Sequence, residues 1–330
     1  MERKKSWVLA ILLALVLAAC GGGSDATTTS GEAEPGSILV SGSSTVEPIS
    51  ALVAEGFMSQ NPEVGITVEG PGTGDGFVRF CAGETDVSDA SRAISEEEAA
   101  ACTEAGIEYV ELHIATDGLS VITSPDNADV GCLNYGDLYS LLGPESEGFA
   151  NWSDANTLAT EVGGTGGFAD VPLVVTAPGE ESGTYDTFVE LVLADLAEER
   201  GADEAARADY QASANDNVIV DNISGNATSL GWVGFAFFSE NSDALKAIEV
   251  DGGDGCIAPT AETIASFDYP LSRPLYIYVS LNKMAENPAV TQFVDYYLSQ
   301  DGTGAVAEAG YVNLPEDEFA ATVAAWEGVK

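Results

Sequence analysis

Short apolar runs alternate with longer amphipathic stretches over residues 37–123. The short runs are rich in β-branched residues and predict strands over residues 38–40, 66–69, 86–89, 108–114 and 119–123. The longer stretches carry apolar positions at helical spacing and predict helices over residues 47–60, 76–81 and 95–104. Strands that alternate with helices are typical of an α/β domain.

Residues 124–269 carry a second series of the same kind. It predicts helices over residues 135–142 and 184–200, a glycine-rich loop over 163–167, and strands over 173–176, near Val218 and over 232–235. The segment that follows, residues 270–279, reads as extended and aromatic-rich, and two more helices are predicted over residues 287–298 and 302–309.

The order of these elements predicts two lobes, and the chain is long enough for each lobe to have its own core. We assign residues 37–123 and 270–330 to the first lobe and residues 124–269 to the second. Because the chain crosses back at about residue 270, a ligand cleft is expected between the lobes. No internal repeat is visible.

The first 36 residues show a different pattern. Three basic residues precede an apolar run over residues 7–19, which is shorter than the roughly 20 residues of a membrane-spanning helix. The run ends in the string LAAC at 17–20, which resembles a bacterial lipobox. We therefore predict a lipoprotein signal peptide over residues 1–19, lipid on Cys20 and a flexible linker over residues 20–36, with an ordinary signal peptide as the alternative.

The predicted lipid would place the protein outside the cytoplasm and anchor it to the cell membrane. The sequence is also strongly acidic, with 11 lysine and arginine residues against 54 aspartate and glutamate residues and a formal net charge of −43. Such a surface repels the phosphate backbone of nucleic acid, so nucleic acid is excluded as a partner. The acidity is interpreted as a solubilising surface or as adaptation to high ionic strength.

Cysteine use fits export, because four cysteines remain after Cys20 and an even number predicts two disulfides. Three pairings are possible. We favour Cys81 with Cys102, which bracket one compact unit, and Cys132 with Cys256, which tie distant parts of the second lobe. Metal binding is the weaker alternative, since no CxxC spacing occurs and the chain has one histidine; no cofactor is expected.

Three segments pair hydroxyl side chains with glycine just before a predicted helix: Ser43-Ser44-Thr45, Gly72-Thr73-Gly74 and Ser182-Gly183-Thr184. The first turn of a helix has unpaired N–H groups and a partial positive charge, so an anion gains hydrogen bonds there. One such segment alone is more often a structural cap. Since two fall in the first lobe and one in the second, together they predict an oxyanion site in the cleft.

Longer strings around these segments resemble the phosphate-binding proteins of ABC transporters. They are GSSTVEPI at 42–49, GTGDGF at 72–77, GETDVSDASR at 83–92, SGT at 182–184, LGWVGF at 230–235 and YPLSRPLY at 269–276. The resemblance covers nearly all of the chain after the linker. It implies a two-lobed, type II periplasmic-binding-protein-like α/β fold with mixed sheets flanked by helices, inorganic phosphate as ligand, an ABC permease as partner, and binding without catalysis. A monomer is expected.

The resemblance also implies roles for matching positions. Backbone N–H and hydroxyl groups of the first lobe and of the Ser-Gly-Thr segment would bind phosphate, and these groups belong to Ser44, Thr45, Val46, Thr73, Ser182, Gly183 and Thr184. Charge-assisted hydrogen bonds of this kind are short and strong.

Two positions depart from the family pattern. Pro178 stands where many members have an arginine, and Ser91 stands where members have the aspartate that accepts the proton of hydrogen phosphate. We hypothesise that Arg92 supplies the missing guanidinium and that Ser91 contributes its hydroxyl. The alternative for Arg92 is a structural ion pair with an acid such as Asp86 or Asp89.

A replacement for the missing aspartate has three candidates, Asp75, Asp89 and Asp117. Asp117 is the preferred acceptor for the phosphate proton, because it lies near the end of a predicted strand. The alternative is an ordinary turn or cap residue. The family aspartate accepts the proton of hydrogen phosphate and repels sulfate, and Ser91 lacks the carboxylate that does so.

Other functions remain open at this point. Ser91 leaves room for sulfate, molybdate, tungstate or an organic phosphate as the ligand, and a phosphate sensor that takes no part in transport would share the same site. A secreted phosphoester hydrolase is disfavoured, because His113 is the only histidine and the Ser-Gly-Thr segment lacks the Gly-x-Ser-x-Gly pattern of a nucleophile elbow. We interpret His113 as a packed strand residue.

Overall fold

A computed structural model describes residues 36–180 and 182–330 of the chain. The predicted signal peptide, the lipidated Cys20 and all of the predicted linker except Gly36 lie outside the described residues, so they stay predictions. Within the described part, no helix combines the length and the apolar character that crossing a membrane requires.

The strands of the described residues form a large mixed sheet and a small one. They are β1 (Ser37–Gly42), β2 (Gly65–Glu69), β3 (Val87–Ala90), β4 (Tyr109–Thr123), β5 (Cys132–Asn134), β6 (Val174–Ala177), β7 (Gln211–Ala212), β8 (Ser229–Gly234), β9 (Lys246–Ala247), β10 (Glu249–Asp251), β11 (Cys256–Ile257) and β12 (Ser272–Ser280). The large sheet has the order β2-β1-β3-β12-β4-β8-β6-β7, with β9 also paired to β4, and the small sheet has the order β11-β10-β5.

Helices cover both series of strands. They are α1 (Glu47–Gln60), α2 (Thr73–Cys81), α3 (Glu96–Ala105), α4 (Tyr135–Leu142), α5 (Asn156–Glu161), α6 (Gly183–Phe188), α7 (Ala194–Arg200), α8 (Asp216–Ser224), α9 (Phe235–Glu240), α10 (Ala261–Ala265), α11 (Leu281–Glu286), α12 (Pro288–Tyr297), α13 (Gln300–Glu308) and α14 (Glu316–Glu327). A π-helical turn over Val189–Leu193 joins α6 to α7, so the helix predicted over residues 184–200 is present as three consecutive helical segments.

Strand β4 connects the two halves of the large sheet. The sequence predicts two strands here, whereas the structure has one strand of 15 residues. Its first part pairs with β12 and its last part, from Leu119, pairs with β8. The ladder with β12 has one register shift, opposite Leu275 and Tyr276, and the pairing with β8 begins one residue after the ladder with β12 ends, so no turn interrupts the strand between residues 114 and 119.

The apolar core divides where β4 changes partners. One large cluster contains Val40, Phe57, Leu112, Ile277 and Phe293, and draws on the chain before residue 116 and after residue 274. The other contains residues between 119 and 271, among them a stacked pair, Phe188 and Trp232, with ring centroids 4.0 Å apart. Among the described residues, two smaller clusters accompany these large ones. This arrangement is a mixed α/β fold with two large cores, of which we call the one that contains Val40 the first and the one that contains Trp232 the second. The lobe boundaries at residues 123 and 269 stay predictions, because β4 contributes to both cores.

One predicted strand is wrong. The β-branched residues around Val218 belong to helix α8, which begins after Asn215, whose side chain accepts a hydrogen bond from the backbone N–H of Asn217. Ile219, Val220 and Ile223 are the buried residues of α8. Burial of one face of the helix therefore outweighs the strand preference of the β-branched side chains.

Both predicted disulfides are confirmed. Cys81 bonds to Cys102 and links α2 to α3, with a sequence separation of 21 residues. Cys132 bonds to Cys256 and links β5 to β11, with a separation of 124 residues. The second bond closes a long loop of the chain, and this loop contains many residues of the second core.

Candidate functional site

Close backbone contacts bring the first two hydroxyl segments together. A Cβ atom on Gly42 would lie 2.0 Å from the carbonyl oxygen of Asp89, so only glycine fits at the end of β1. The N–H of Ser43 donates to that carbonyl at 2.8 Å, and the N–H of Gly72 donates to the carbonyl of Gly42 at 2.8 Å. The segment after β1 and the segment before α2 are therefore neighbours.

Thr45 is buried in the first segment, just before α1. Its N–H donates to the Ser43 hydroxyl at 3.2 Å, and the N–H of Val46 donates to the Ser43 carbonyl at 3.2 Å. These two N–H groups, which the resemblance assigns to the ligand, thus have partners within the turn. The Thr45 hydroxyl faces helix α6, 3.4 Å from the hydroxyl of Thr187.

Thr73 is the first residue of α2 and lies beside Ser91. The two hydroxyl oxygens are 3.1 Å apart, and the N–H of Ser91 donates to the Thr73 hydroxyl at 3.2 Å. Ser91 is buried, one residue after β3 ends. The structure therefore places the residue that replaces the family aspartate next to a predicted phosphate ligand.

The third segment meets the first across the two cores. Ser182 caps α6, and its hydroxyl accepts a hydrogen bond from the N–H of Thr184 at 3.2 Å. A Cβ atom on Gly183 would lie 3.3 Å from the Cα atom of Thr45, and the Ser44 hydroxyl donates to the carboxylate of Asp186 at 2.9 Å. All three predicted segments thus meet in one place, while their role as phosphate ligands stays a prediction.

Arg92 is engaged by a carboxylate of its own lobe. Its two terminal nitrogens each donate to the Glu98 carboxylate at 2.8 Å, and its guanidinium carbon lies 5.6 Å from the centre of the Phe77 ring. The same hydrogen bonds lower the pKa of Glu98 to about 2. The ion pair offered as the alternative for Arg92 is present, with Glu98 as its partner in place of Asp86 or Asp89.

Sequence reasoning missed Arg273 as a site residue. Arg273 is 5% exposed on β12, and its Nη2 atom donates to the Thr45 hydroxyl at 2.8 Å and also to the hydroxyl of Thr187. Its Nη1 atom donates to the carboxylate of Glu190 at 2.5 Å. Arg273 lies inside the string YPLSRPLY that carries the resemblance, but it is 228 residues from Thr45, and no local pattern connects the two.

Asp117 holds Arg273 in place. The two residues are directly opposite each other in the ladder between β4 and β12, and Arg273 Nε donates to Asp117 Oδ2 at 3.3 Å. The Thr187 hydroxyl lies 3.2 Å from the same oxygen. Burial raises the pKa of Asp117, while Arg273 and Thr187 act in the opposite direction. A role as proton acceptor for the ligand stays a prediction.

The space beside Asp117 is acidic. A cavity of about 250 Å³ adjoins Asp117 and Thr184, and Asp216, Glu240 and Glu308 also line it. Three further carboxyl groups make this cavity unfavourable for an anion.

His113 lies outside the cluster of hydroxyl segments. Its ring packs 5.2 Å from that of Tyr276, its Nδ1 atom is 3.7 Å from the Glu318 carboxylate, and burial lowers its pKa. Across residues 36–180 and 182–330 there is no group of three or more His, Cys, Asp or Glu side chains that could hold a metal ion.

Asp89 is a buried carboxyl directly beneath the first segment. Its Oδ1 atom accepts a hydrogen bond from the Ser50 hydroxyl at 2.8 Å, and its Oδ2 atom has no partner among the described residues. Burial raises the pKa of Asp89 to about 7; Ser50 lowers it and the charge of Glu47 raises it further. The folded protein therefore keeps this proton to a higher pH than the unfolded chain does.

We predict that Asp89 makes folding stability fall as pH rises. The unfolded carboxyl loses its proton near its ordinary pKa of about 3.9, so between about pH 4 and pH 7 ionisation favours the unfolded chain by up to about 1.4 kcal/mol per pH unit. Asp89→Asn does not titrate. Urea unfolding at pH 5, 6, 7 and 8 should show the native chain losing stability relative to this variant up to about pH 7 and then no further; a difference that is constant with pH would contradict the prediction.

Comparison with known proteins places the chain among binding proteins. A family model described as a PBP superfamily domain matches residues 27–301. Protein SphX of Synechocystis sp. is 38% identical over 285 residues, 86% of this chain and 80% of that protein. The phosphate-binding protein PstS of Staphylococcus saprophyticus is 34% identical over 322 residues, 96% of this chain and 92% of that protein.

Solved structures agree with these relatives. The crystal structure of a possible phosphate-binding protein from Planctomyces limnophilus has a TM-score of 0.81 and 36% identity, and the match covers 90% of this chain and 99% of that one. An ABC-type phosphate transport receptor from Vibrio cholerae has a TM-score of 0.60 at 23% identity, covering 84% of this chain and 100% of that one, which is a likeness of fold.

Proposed function

This chain belongs to the PBP superfamily, and we propose that it is an extracytoplasmic substrate-binding protein that captures inorganic phosphate and delivers it to an ABC permease. A relative at 34% identity is named a phosphate-binding protein. A similar solved structure at 36% identity is named a possible phosphate-binding protein. We propose that the protein binds phosphate without chemical turnover, acts as a monomer, and is anchored to the membrane by lipid on Cys20 after removal of residues 1–19.

The observation that carries this proposal is the convergence of three hydroxyl and glycine segments from the two cores. A tetrahedral anion at this place would receive hydrogen bonds from both sides, and charge-assisted hydrogen bonds are the strong ones. The proposed uncharged ligands are Ser44, Thr45, Val46, Thr73, Ser91, Ser182, Gly183 and Thr184, with Asp117 as the acceptor for the phosphate proton. Donors on both sides mean that binding would hold the lobes together.

Thr45→Val should weaken phosphate binding by roughly tenfold to a hundredfold, because a lost hydrogen bond to a charged partner costs about 1.5–3 kcal/mol. Thr45 is buried, and valine has nearly its shape, so the fold should survive. Isothermal titration calorimetry with phosphate measures the effect. Thr67→Val on the exposed face of β2 is the matched control, and equal dissociation constants for the two variants would remove Thr45 from the site.

Ser91 favours a second candidate, a binding protein for another oxyanion. A hydroxyl group can donate to a fully deprotonated oxyanion, whereas a carboxylate there would repel it. Competition calorimetry with phosphate and sulfate between pH 6 and pH 8 separates the two candidates. Phosphate binding that equimolar sulfate leaves intact supports the first candidate, and preferential sulfate binding supports the second.

A further inference from the structure

We propose that Arg273 is the cationic ligand of the bound oxyanion, and that the carboxylate of Glu190 competes with the oxyanion for this guanidinium. Glu190 would then set the affinity of the site by occupying its cation whenever the anion is absent. This inference rests on the proposed function, since it names the charged groups of the same site. It also accounts for the missing cation at Pro178.

Arg273 is positioned as a ligand would require. Its Nη2 atom lies 2.8 Å from the hydroxyl of Thr45, the buried hydroxyl of the first anion segment. The opposite edge of the guanidinium is fixed by Asp117 through Nε, and the side chain is buried. A rigid planar guanidinium beside the hydroxyl donors can contact two oxygens of one oxyanion with little further ordering.

Arg92 is held by a less exposed carboxylate than Arg273 is, since the side chain of Glu98 is 19% exposed and that of Glu190 is 49% exposed. The two terminal nitrogens of Arg92 are both bound to Glu98, and the Glu98 carboxylate also accepts the N–H of Ser95 at 2.9 Å. Ser95 and Glu98 form the capping box at the start of α3. Turning Arg92 toward a ligand would therefore break a bidentate pair that belongs to a helix cap.

Glu190 can be displaced at much lower cost. Its side chain is 49% exposed, so water can replace the hydrogen bond that it makes with Nη1 of Arg273. It lies in the π-helical turn Val189–Leu193, in the same helical run that begins with the Ser-Gly-Thr segment. Glu190 therefore approaches Arg273 from the second core, whereas Thr45 approaches it from the first.

The charge of Glu190 reaches both arginines of the site. It pairs directly with Arg273, and it is one of the more distant charges that raise the pKa of Arg92, after the stronger effect of Glu98. An oxyanion at Thr45 would approach these same cations. Two negative charges within a few ångströms repel each other more strongly in a partly buried place than in bulk water, so the oxyanion and Glu190 compete for Arg273.

A substitution that removes the charge of Glu190 tests the proposal by the direction in which affinity changes. Glu190→Gln should tighten binding of both phosphate and sulfate by roughly tenfold, because it removes the competing charge but keeps the size of the side chain. Calorimetry of the full chain at low ionic strength measures the two dissociation constants. Glu199→Gln, an exposed substitution on α7 with the same change in net charge, is the matched control.

Every outcome at Glu190 decides the proposal. Equal tightening for both anions supports it, and unchanged affinity overturns it. Weaker phosphate binding with sulfate unaffected also overturns it, since that result would make Glu190 the acceptor for the phosphate proton. If the native chain binds neither anion, the proposed function itself fails, and this failure is visible before any variant is made.

Substitutions of Arg273 provide the second test. Arg273→Gln should weaken phosphate binding more than Arg92→Gln does, and the reverse order would overturn the assignment of the cation. Because Arg273→Gln leaves Asp117 buried without its charged partner, the pair Arg273→Lys and Arg92→Lys provides the same comparison if the glutamine variant unfolds, since lysine keeps the positive charge but lacks the planar guanidinium. Circular dichroism identifies which of the variants are folded.

Discussion

The double variant Cys132→Ser with Cys256→Ser should unfold with a free energy about 5 kcal/mol lower than that of the native chain. The disulfide joins residues separated by 124 positions, so its removal restores much conformational freedom to the unfolded chain. Cys132 is half-buried and Cys256 is exposed, so serine leaves no deep cavity. A loss of this size is comparable to the whole stability of many domains, about 5–15 kcal/mol.

Urea unfolding without reducing agent measures this loss. The matched control is Cys81→Ser with Cys102→Ser, which opens a loop with a separation of only 21 residues and should remove about 3 kcal/mol of loop entropy, plus the cost of two serines at buried positions. If the long-range double variant lost less than about 1 kcal/mol, the loop-entropy argument would be wrong for this protein.

Gly42→Ala should lower folding stability by about 3 kcal/mol, because the new methyl group overlaps the backbone of β3 and the end of β1 must move. The added Cβ would lie 2.0 Å from the carbonyl oxygen of Asp89, the atom that accepts the hydrogen bond from Ser43. Phosphate affinity should fall at least roughly a hundredfold, since a displaced segment loses two or more hydrogen bonds to the anion at about 1.5 kcal/mol or more each.

The control for Gly42→Ala is Gly65→Ala at the start of β2. A Cβ atom on Gly65 would meet no atom within 4 Å, and the residue is exposed. This control should therefore keep native stability within about 0.5 kcal/mol, as is usual for surface substitutions. Native-like phosphate affinity in Gly42→Ala would show that the first segment does not bind the anion.

The fold was predictable where local patterns agree with burial. Helix α3 begins at Ser95 with a full capping box, and strand β1 is a β-branched and apolar run between turns. The prediction failed at α8, because Val218, Ile219 and Val220 favour a strand locally, whereas the buried face of the segment repeats at helical spacing. The two strands predicted in β4 are one strand, because the continuity of β4 depends on pairing with β12 and β8, which lie far away in the sequence.

Only the part of the site that has a local sequence signal was predictable. A hydroxyl-rich segment before a helix is a local signal, and all three such segments meet in the structure. Arg273 and Glu190 give no local signal, since they are 83 residues apart and meet only through the folding of β12 against the second core. The engagement of Arg92 by Glu98 also depends on the cap of α3. Hydrogen-bond donors are thus easier to find from the sequence than the charged groups that set affinity and selectivity.

The crystal structure of the protein grown with phosphate tests the central claim most directly. The account predicts one phosphate ion within hydrogen-bonding distance of Thr45 and Thr73 on one side and of Ser182, Gly183 and Thr184 on the other. A phosphate ion bound by one lobe alone, bound at another place, or absent at millimolar phosphate would contradict it.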